Sequence, residues 1–175
     1  SDLVTGLPAN QVFGTGTYLD TARLKRSLGD ALNVDPRSIQ GYMLGEHGDS
    51  QFAAWSTVRV LGQKADELVT NYHLDLDAVA NDARVGGFTV FSGKKYTNFA
   101  IAHAAVSLAQ LVLSDAHNEA IVSHYDARFA GYISPPAIIG RSGVVANFEL
   151  TLTADEQRAL QQSANAIAEK TAAYL

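Results

Sequence analysis

The sequence contains no cysteine among its 175 residues. A chain without cysteine cannot form a disulfide framework, and it cannot bind zinc through thiolates. It also has no apolar run approaching the roughly 18 residues that span a bilayer, and its start shows no signal-peptide pattern. We therefore expect a globular protein of the reducing cytoplasm, with no membrane partner.

Positive charge is scarce as well. The 13 Lys and Arg residues are outnumbered by 18 Asp and Glu, which gives a net charge of −5, and the basic residues form no cluster. Because binding to a phosphate backbone needs clustered Lys and Arg, we expect no nucleic-acid partner. The hydrophobic fraction of 47% and the charged fraction of 18% are ordinary for a globular domain.

The start of the chain suggests that it belongs to something longer. Ser1 stands where an initiator methionine would be, and residues 1–8 read as the end of a helix followed by a turn. No linker, repeat or low-complexity tract divides residues 1–175, so we expect one domain that was cut from a longer protein.

Hydrophobic periodicity predicts both strands and helices. We predict strands at 11–16, 39–44, 52–61, 119–124, 137–139 and 144–150. We predict helices at 19–32, 76–91, 98–113 and 154–174, the last opened by a capping box between Thr153 and Glu156. This order of elements predicts an α+β fold, with a mixed antiparallel sheet and long helices.

Two short segments carry the residues that suggest chemistry. Asp20 and Arg23 are three positions apart on a predicted helix and therefore share one face. His47 stands between two glycines in the run Gly-Glu-His-Gly-Asp-Ser at 45–50, just after a predicted buried strand. Glycines at such a place let the backbone approach a ligand closely.

These residue types suit one class of reaction. An aspartate bonded to one imidazole nitrogen fixes the tautomer and favours the protonated ring, so the other nitrogen can exchange a proton with a substrate oxygen. An arginine can bind a carboxylate through two parallel hydrogen bonds. Together they suit a 2-keto or 2-hydroxy acid, whose redox chemistry needs a hydride source that side chains cannot supply.

Simpler interpretations exist for the same residues. Asp20 and Arg23 could form a solvated ion pair on a helix surface, which is the commoner case for such a pair. A metal site could use His47 with its acidic neighbours, or His117 with His124, but none has a recognised ligand spacing, so we expect no metal. We place the latter two histidines at the surface. The apolar helix at 98–113 could instead make the chain a non-enzymatic assembly module.

Taken together, the motifs resemble the L-lactate and malate dehydrogenase family, in its lactate-type branch. The matching stretches follow the family's order across nearly the whole chain: 14–23, 35–38, 45–50, 55–56, 95–97 and 136–140. Residues 48–60 and 132–141 are most similar to the L-2-hydroxyisocaproate dehydrogenases of this branch.

The resemblance implies a role for each residue of the two motifs. The chain would be the C-terminal, substrate-binding domain of an NAD-dependent L-2-hydroxy acid dehydrogenase. His47 would donate and accept the proton, Asp20 would orient it, and Arg23 would bind the substrate carboxylate.

The resemblance also assigns roles to three residues that lie outside the two motifs. Thr97 would line the pocket around the substrate side chain, although its position also suits a helix N-cap. Ile101 would pack near the nicotinamide, although plain core is the simpler interpretation. Thr15 would stand at the active-site wall on the cofactor side.

One family feature is missing from the sequence. No Gly-x-Gly-x-x-Gly fingerprint follows a strand and opens a helix, so NAD would be bound mainly by an absent N-terminal Rossmann domain. Residues 1–17 would form the last strand region adjoining that domain. We expect a small 2-keto or 2-hydroxy acid as substrate, a homo-oligomer (tetramer or dimer), and no activity from this chain alone.

Overall fold

The structure is a computed structural model that describes residues 5–172, without the side chain of Lys94. Its helices are α1 (Tyr18–Leu32), α2 (Ala65–Tyr72), α3 (Leu76–Lys94), α4 (Phe99–Leu113) and α5 (Ala154–Thr171). Its strands are β1 (Phe13–Gly14), β2 (Ile39–Gln40), β3 (Met43–Leu44), β4 (Phe52–Ala53), β5 (Arg59–Val60), β6 (Gln63–Lys64), β7 (Asn118–Ile121), β8 (Ser123–Asp126), β9 (Gly131–Ile133), β10 (Pro136–Gly140) and β11 (Gly143–Asn147). None of the helices within residues 5–172 is long and apolar enough to cross a membrane.

The strands form small antiparallel sheets. Three sheets have three strands each, in the orders β1-β8-β9, β11-β10-β7 and β2-β5-β6, and β3 pairs with β4. Every strand pair in the described residues is antiparallel. The predicted α+β fold with antiparallel strands and long helices is therefore confirmed.

Three clusters of buried side chains join these elements. The first cluster packs α1, α2 and α3 against the β2-β5-β6 sheet, and the third packs α4 against the β11-β10-β7 sheet. The second cluster lies between α5, β3 and β9. Leu24 and Leu28 of α1 are completely buried, and each contributes about 1.5–3 kcal/mol to the stability of the fold. Helix α1 is therefore held firmly.

Two predicted strands are interrupted. The strand at 39–44 breaks at Gly41, whose φ of 144° lies outside the range of most residues; a Cβ there would come within 2.8 Å of Val58. The strand at 52–61 breaks at a 3₁₀ turn over Trp55–Thr57, where the Thr57 hydroxyl donates to the Ala54 carbonyl over 2.6 Å. Close tertiary packing and a side-chain hydrogen bond thus override the strand pattern.

The helices agree better with the pattern. Helices α1, α3 and α4 lie where the periodicity places them, and the Thr153–Glu156 capping box opens α5 as predicted. The prediction that α5 reaches residue 174 lies outside the described residues. Helix α2 was not predicted, because its eight residues are too few for a clear helical period.

Candidate active site

Asp20 lies in the first turn of α1 and is completely buried. Two hydroxyls beside it fix this turn to β3, since Thr17 donates to the Met43 carbonyl over 2.6 Å and Thr21 accepts from the Met43 N–H over 3.0 Å. Strand β3 leads directly into the loop at 45–50. The start of α1 and the start of this loop are therefore held side by side.

His47 lies on that loop and reaches Asp20. Its Nδ1 stands 2.6 Å from Asp20 Oδ2, and the imidazole is 63% exposed, whereas the carboxylate is 1% exposed. The hydrogen bond to Asp20 raises the pKa of His47 above its ordinary value of 6.5, against the opposing effects of burial and of the Arg23 charge. Because Nδ1 is held by Asp20, Nε2 is the nitrogen left for a substrate oxygen.

Arg23 binds the second oxygen of the same carboxylate. Its Nη1 lies 2.9 Å from Asp20 Oδ1, and its side chain is 21% exposed. The sequence allowed a solvated surface pair here, but burial of Asp20 contradicts that interpretation. A buried carboxylate is costly unless it is paired and hydrogen-bonded, and here His47 and Arg23 both satisfy Asp20.

The three side chains open onto one cleft. It has a volume of about 1040 Å³ and is lined by residues of α1, α3, the start of α4 and the histidine loop. Its ionisable lining residues are Asp20, Arg23 and His47, joined by Asp49 and Arg84. The cleft therefore offers a proton donor and cations beside a larger apolar wall.

Comparisons with a protein family and with individual proteins give the same result. The family described as lactate/malate dehydrogenase, alpha/beta C-terminal domain, matches residues 17–173. This chain belongs to that family. Its similarity to L-lactate dehydrogenase 3 of Bacillus thuringiensis subsp. konkukian is 38% identity over 169 residues, covering 91% of this chain and 54% of that protein. With L-lactate dehydrogenase 1 of Lactobacillus acidophilus it is 35% over 173 residues, covering 95% and 54%.

The fold agrees with solved lactate dehydrogenases. A minor L-lactate dehydrogenase of Enterococcus mundtii, solved in a ligand-bound form, superimposes with a TM-score of 0.93 at 31% identity, covering 99% of this chain and 58% of that one. This chain thus spans about half the length of the curated relatives that it matches. The predicted membership of the lactate/malate dehydrogenase family is confirmed.

Of the three remaining predicted site residues, two line the cleft and one does not. Thr97 and Ile101 both line the cleft, and Ile101 is 40% exposed rather than core. Asn98, not Thr97, caps α4, because its side chain accepts from the Phe99 N–H over 3.0 Å. Thr15 is not among the lining residues; it lies in the turn before α1 and keeps its assigned role only as a prediction.

Several residues that line the cleft were not predicted. Arg84, Phe88 and Phe91 of α3 all face it. Their spacing of four and three positions is the signal that could have identified a shared helix face. Phe88 is 74% exposed and Phe91 50%, so this wall could accommodate a flat apolar ring.

The metal alternative has no support in the described part of the chain. Among residues 5–172, no group of three His, Asp or Glu side chains could hold a metal ion. His117 is exposed, as expected, and its imidazole contacts Asp115. The expectation that His124 is a surface residue is wrong: it is 1% exposed, and its Nδ1 lies 3.0 Å from the Val122 carbonyl oxygen.

The glycine pair of α3 packs against Arg23. A Cβ on Gly87 would lie 3.1 Å from Arg23 Nη2, and one on Gly86 would lie 3.3 Å from Arg23 Cδ. Two adjacent glycines destabilise a helix because of their low helix propensity. Their position opposite the Arg23 guanidinium explains why small residues are suited to this part of α3. They leave room for Arg23 to lie flat between α1 and α3.

Gly87→Ala tests how freely the guanidinium can give way. Alanine in a helix interior is favoured over glycine by about 0.5–1 kcal/mol, and the obstructing atoms belong to the end of a flexible side chain. We expect the Tm to rise by about 1–4 °C in thermal unfolding followed by circular dichroism. Gly93→Ala is the matched control on the same helix, because nothing lies within 4 Å of its Cβ position. A Tm below wild type for Gly87→Ala alone would contradict this expectation.

Proposed function

We propose that this chain is the C-terminal, substrate-binding domain of a longer NAD-dependent L-2-hydroxy acid dehydrogenase. The observation that carries the proposal is the buried Asp20 carboxylate, which binds His47 through one oxygen and Arg23 through the other. A proton donor and a carboxylate anchor are thereby held beside one cleft. The lactate dehydrogenase relatives support the same assignment.

The chemistry of this domain is an acid–base step. A 2-keto acid binds with its carboxylate on the Arg23 guanidinium, which carries more N–H donors than the one that Asp20 occupies. Protonated His47 then gives its Nε2 proton to the carbonyl oxygen, which becomes the hydroxyl of the product. Asp20 stabilises the charged imidazole before transfer. In the reverse direction neutral His47 accepts the hydroxyl proton.

The described residues fit one end of NAD. When bound, NADH supplies the hydride that reduces the carbonyl carbon. The exposed apolar wall around Ile101 and Phe91 suits a nicotinamide ring, whereas the sequence has no glycine-rich strand-to-helix turn for the diphosphate. We therefore assign most of the NAD contacts, including that turn, to an N-terminal domain, with residues 1–17 at the junction.

The substrate that we favour is a branched or bulky aliphatic 2-keto acid, with pyruvate as the alternative. This preference rests on the L-2-hydroxyisocaproate dehydrogenase resemblance of residues 48–60. Phe52 and Ala54 of that segment pack in the second core cluster and do not line the cleft. Other residues must contact the substrate side chain.

Steady-state NADH oxidation by the full-length enzyme tests both levels of the proposal. We expect turnover with 2-keto acids, and a higher kcat/KM with 4-methyl-2-oxopentanoate than with pyruvate. A strong preference for pyruvate would reject the branched substrate and leave the dehydrogenase assignment intact. No oxidation with any 2-keto acid would reject the assignment itself.

The 175-residue chain alone is expected to be inactive. It holds the acid–base and carboxylate-binding residues, but without a site for the diphosphate it cannot hold NADH at a useful occupancy. The check is NADH oxidation by the purified chain at high enzyme concentration, with the full-length enzyme as positive control. Robust turnover by the 175-residue chain would contradict this expectation.

An assembly role is the second candidate, and it can coexist with catalysis. Helix α4 exposes large apolar side chains, with Val106 56% exposed and Leu113 76% exposed. Such a face suits a contact with another subunit, and we propose a homodimer or homotetramer. Light scattering after size exclusion gives the oligomeric state. A module with this role alone would assemble normally after His47 is replaced and would show no turnover at full length.

A further inference from the structure

The loop that carries His47 is joined to α5, a helix that contributes no residue to the cleft lining in the described chain. The Glu46 N–H donates to Ser163 Oγ over 2.6 Å, and the Ser50 hydroxyl lies 2.9 Å from the same oxygen. Lys170, two turns further along α5, forms an ion pair with the Glu46 carboxylate. Both flanks of His47 are thus tied to one helix.

These contacts are built into the interior rather than laid on the surface. Ser163 is completely buried, and its hydroxyl contacts both Glu46 and Ser50 of the loop. A buried hydroxyl is costly unless it is hydrogen-bonded, so this serine fits its place only with the loop present. Gly45 has a φ of 95°, and a Cβ there would come within 2.5 Å of Ser163 Oγ. A residue with a side chain at position 45 would therefore collide with Ser163, and glycine allows the loop to lie this close to α5.

The Glu46 carboxylate completes the connection. It accepts from the Ser50 hydroxyl over 2.6 Å, and its side chain is 14% exposed. The hydrogen bond from Lys170, followed by that from Ser50, lowers the pKa of Glu46 below its usual range. The carboxylate is therefore charged and paired near neutral pH, and the pairing crosses from the loop to α5.

Helix α5 is itself well anchored. Leu160 and Ala164 belong to the second core cluster, and the capping box fixes the first turn. The Glu156 carboxylate of that turn also accepts the Ser56 N–H over 2.9 Å. The helix can therefore act as a fixed support for the loop beside it.

We propose that Ser163 and Lys170 are positioning residues, through which α5 holds the 45–50 loop so that His47 Nδ1 meets Asp20. This inference rests on the proposed function in one respect, that His47 is the acid–base group. Neither residue touches the cleft. Ser163 acts on the reaction only through the placement of the imidazole, whereas Lys170 adds the effect of its charge to that of placement.

The charged groups around His47 define what its titration reports. They lie on α1, on its own loop, on α3 and on α5, and they are Asp20, Arg23, Glu46, Asp49, Arg84 and Lys170. Ser163→Ala changes none of these charges. A change in the His47 pKa in that variant therefore reports a change in geometry.

The experiment is an NMR titration of the histidine side chains in the 175-residue chain, with ¹⁵N relaxation of the loop amides. We expect Ser163→Ala to lower the His47 pKa back toward its ordinary value of 6.5, because the hydrogen bond to Asp20 is weakened, and to lower the loop order parameters from about 0.85 toward 0.6. Thr171→Ala is the control, because its hydroxyl donates to carbonyls of its own helix. A folded Ser163→Ala protein with an unchanged His47 pKa and a rigid loop would overturn the proposal.

Lys170→Gln is the second variant, and it keeps the test decisive if Ser163→Ala fails to fold. Loss of a nearby cation raises a histidine pKa by Coulomb's law, while a looser Asp20 bond lowers it, so loop order is the readout here. We expect lower order parameters at 45–50 and their recovery in Lys170→Arg. Unchanged loop order in Lys170→Gln would contradict the proposal. Absence of NADH oxidation with any 2-keto acid by the full-length enzyme would instead reject the proposed function, and it would leave the measurements of loop order as they are.

Discussion

Replacing His47 by glutamine is expected to lower kcat for 2-keto acid reduction by about a hundredfold to ten-thousandfold in the full-length enzyme. Glutamine keeps the size and a hydrogen-bonding group, so a substrate oxygen can still be approached. It has no proton to give near neutral pH, because its amide does not titrate. The carbonyl oxygen must then take its proton from water. The measurement is steady-state NADH oxidation with a saturating 2-keto acid.

The matched control is His117→Gln. His117 is exposed at 61% of its side chain and contacts Asp115, away from the cleft. We expect its kcat to equal that of the wild type. A His47→Gln enzyme that retains more than about a tenth of wild-type kcat would show that another group supplies the proton, since general acid catalysis accounts for far more than tenfold.

Replacing Arg23 by lysine is expected to raise KM for the 2-keto acid by about a hundredfold. Lysine keeps the charge, but it cannot bind a carboxylate through two parallel N–H groups while a third bond holds Asp20. The geometry supports this, because Arg23 lies flat on Gly86 and Gly87 and reaches Asp20 through Nη1. We expect a smaller fall in kcat, since the proton donor remains on His47.

Arg26→Lys is the control for that prediction. It lies on the same helix, is 79% exposed and pairs with Asp30. Exposed ion pairs of this kind contribute little, so we expect unchanged kinetics and stability. If Arg23→Lys also leaves KM unchanged, the carboxylate anchor lies elsewhere, and Arg84 becomes the first candidate because it lines the same cleft.

The sequence was most informative at the two short motifs that carry the candidate catalytic residues. Asp20 and Arg23 share a helix face by spacing alone, and the glycines around His47 marked a loop after a buried strand. The two segments lie side by side because Thr17 and Thr21 form hydrogen bonds to β3. No local sequence pattern predicts these bonds. The resemblance to a known family supplied that meeting; periodicity did not.

Other features depended on contacts between distant parts of the chain. The bond from Glu46 to Ser163 spans 117 positions. No periodic signal marks such a pair, because the serine lies on an otherwise ordinary amphipathic helix. The strand break at Gly41 has the same origin, since it arises from the approach of Val58. Contacts between residues that are distant in the sequence determine these features, and such contacts cannot be predicted from local patterns in a single sequence.

The pH dependence of the site follows from the Asp20–His47 bond. The pKa of His47 is raised in the folded chain, so the protonated pair stabilises the fold below the unfolded value of about 6.5. This contribution is lost as the pH rises through the folded pKa. Reduction of a 2-keto acid needs the same protonated form, so its kcat/KM should fall over the same range.

The most direct test of the central claim, that Asp20 holds His47 as a proton donor, is the His47 titration in wild-type and Asp20→Asn chains. NMR of the imidazole resonances gives both pKa values under identical conditions. We predict a pKa above 6.5 in the wild type and a lower value in Asp20→Asn, because the amide cannot stabilise the imidazolium as the carboxylate does. Equal pKa values in the two chains would contradict the claim.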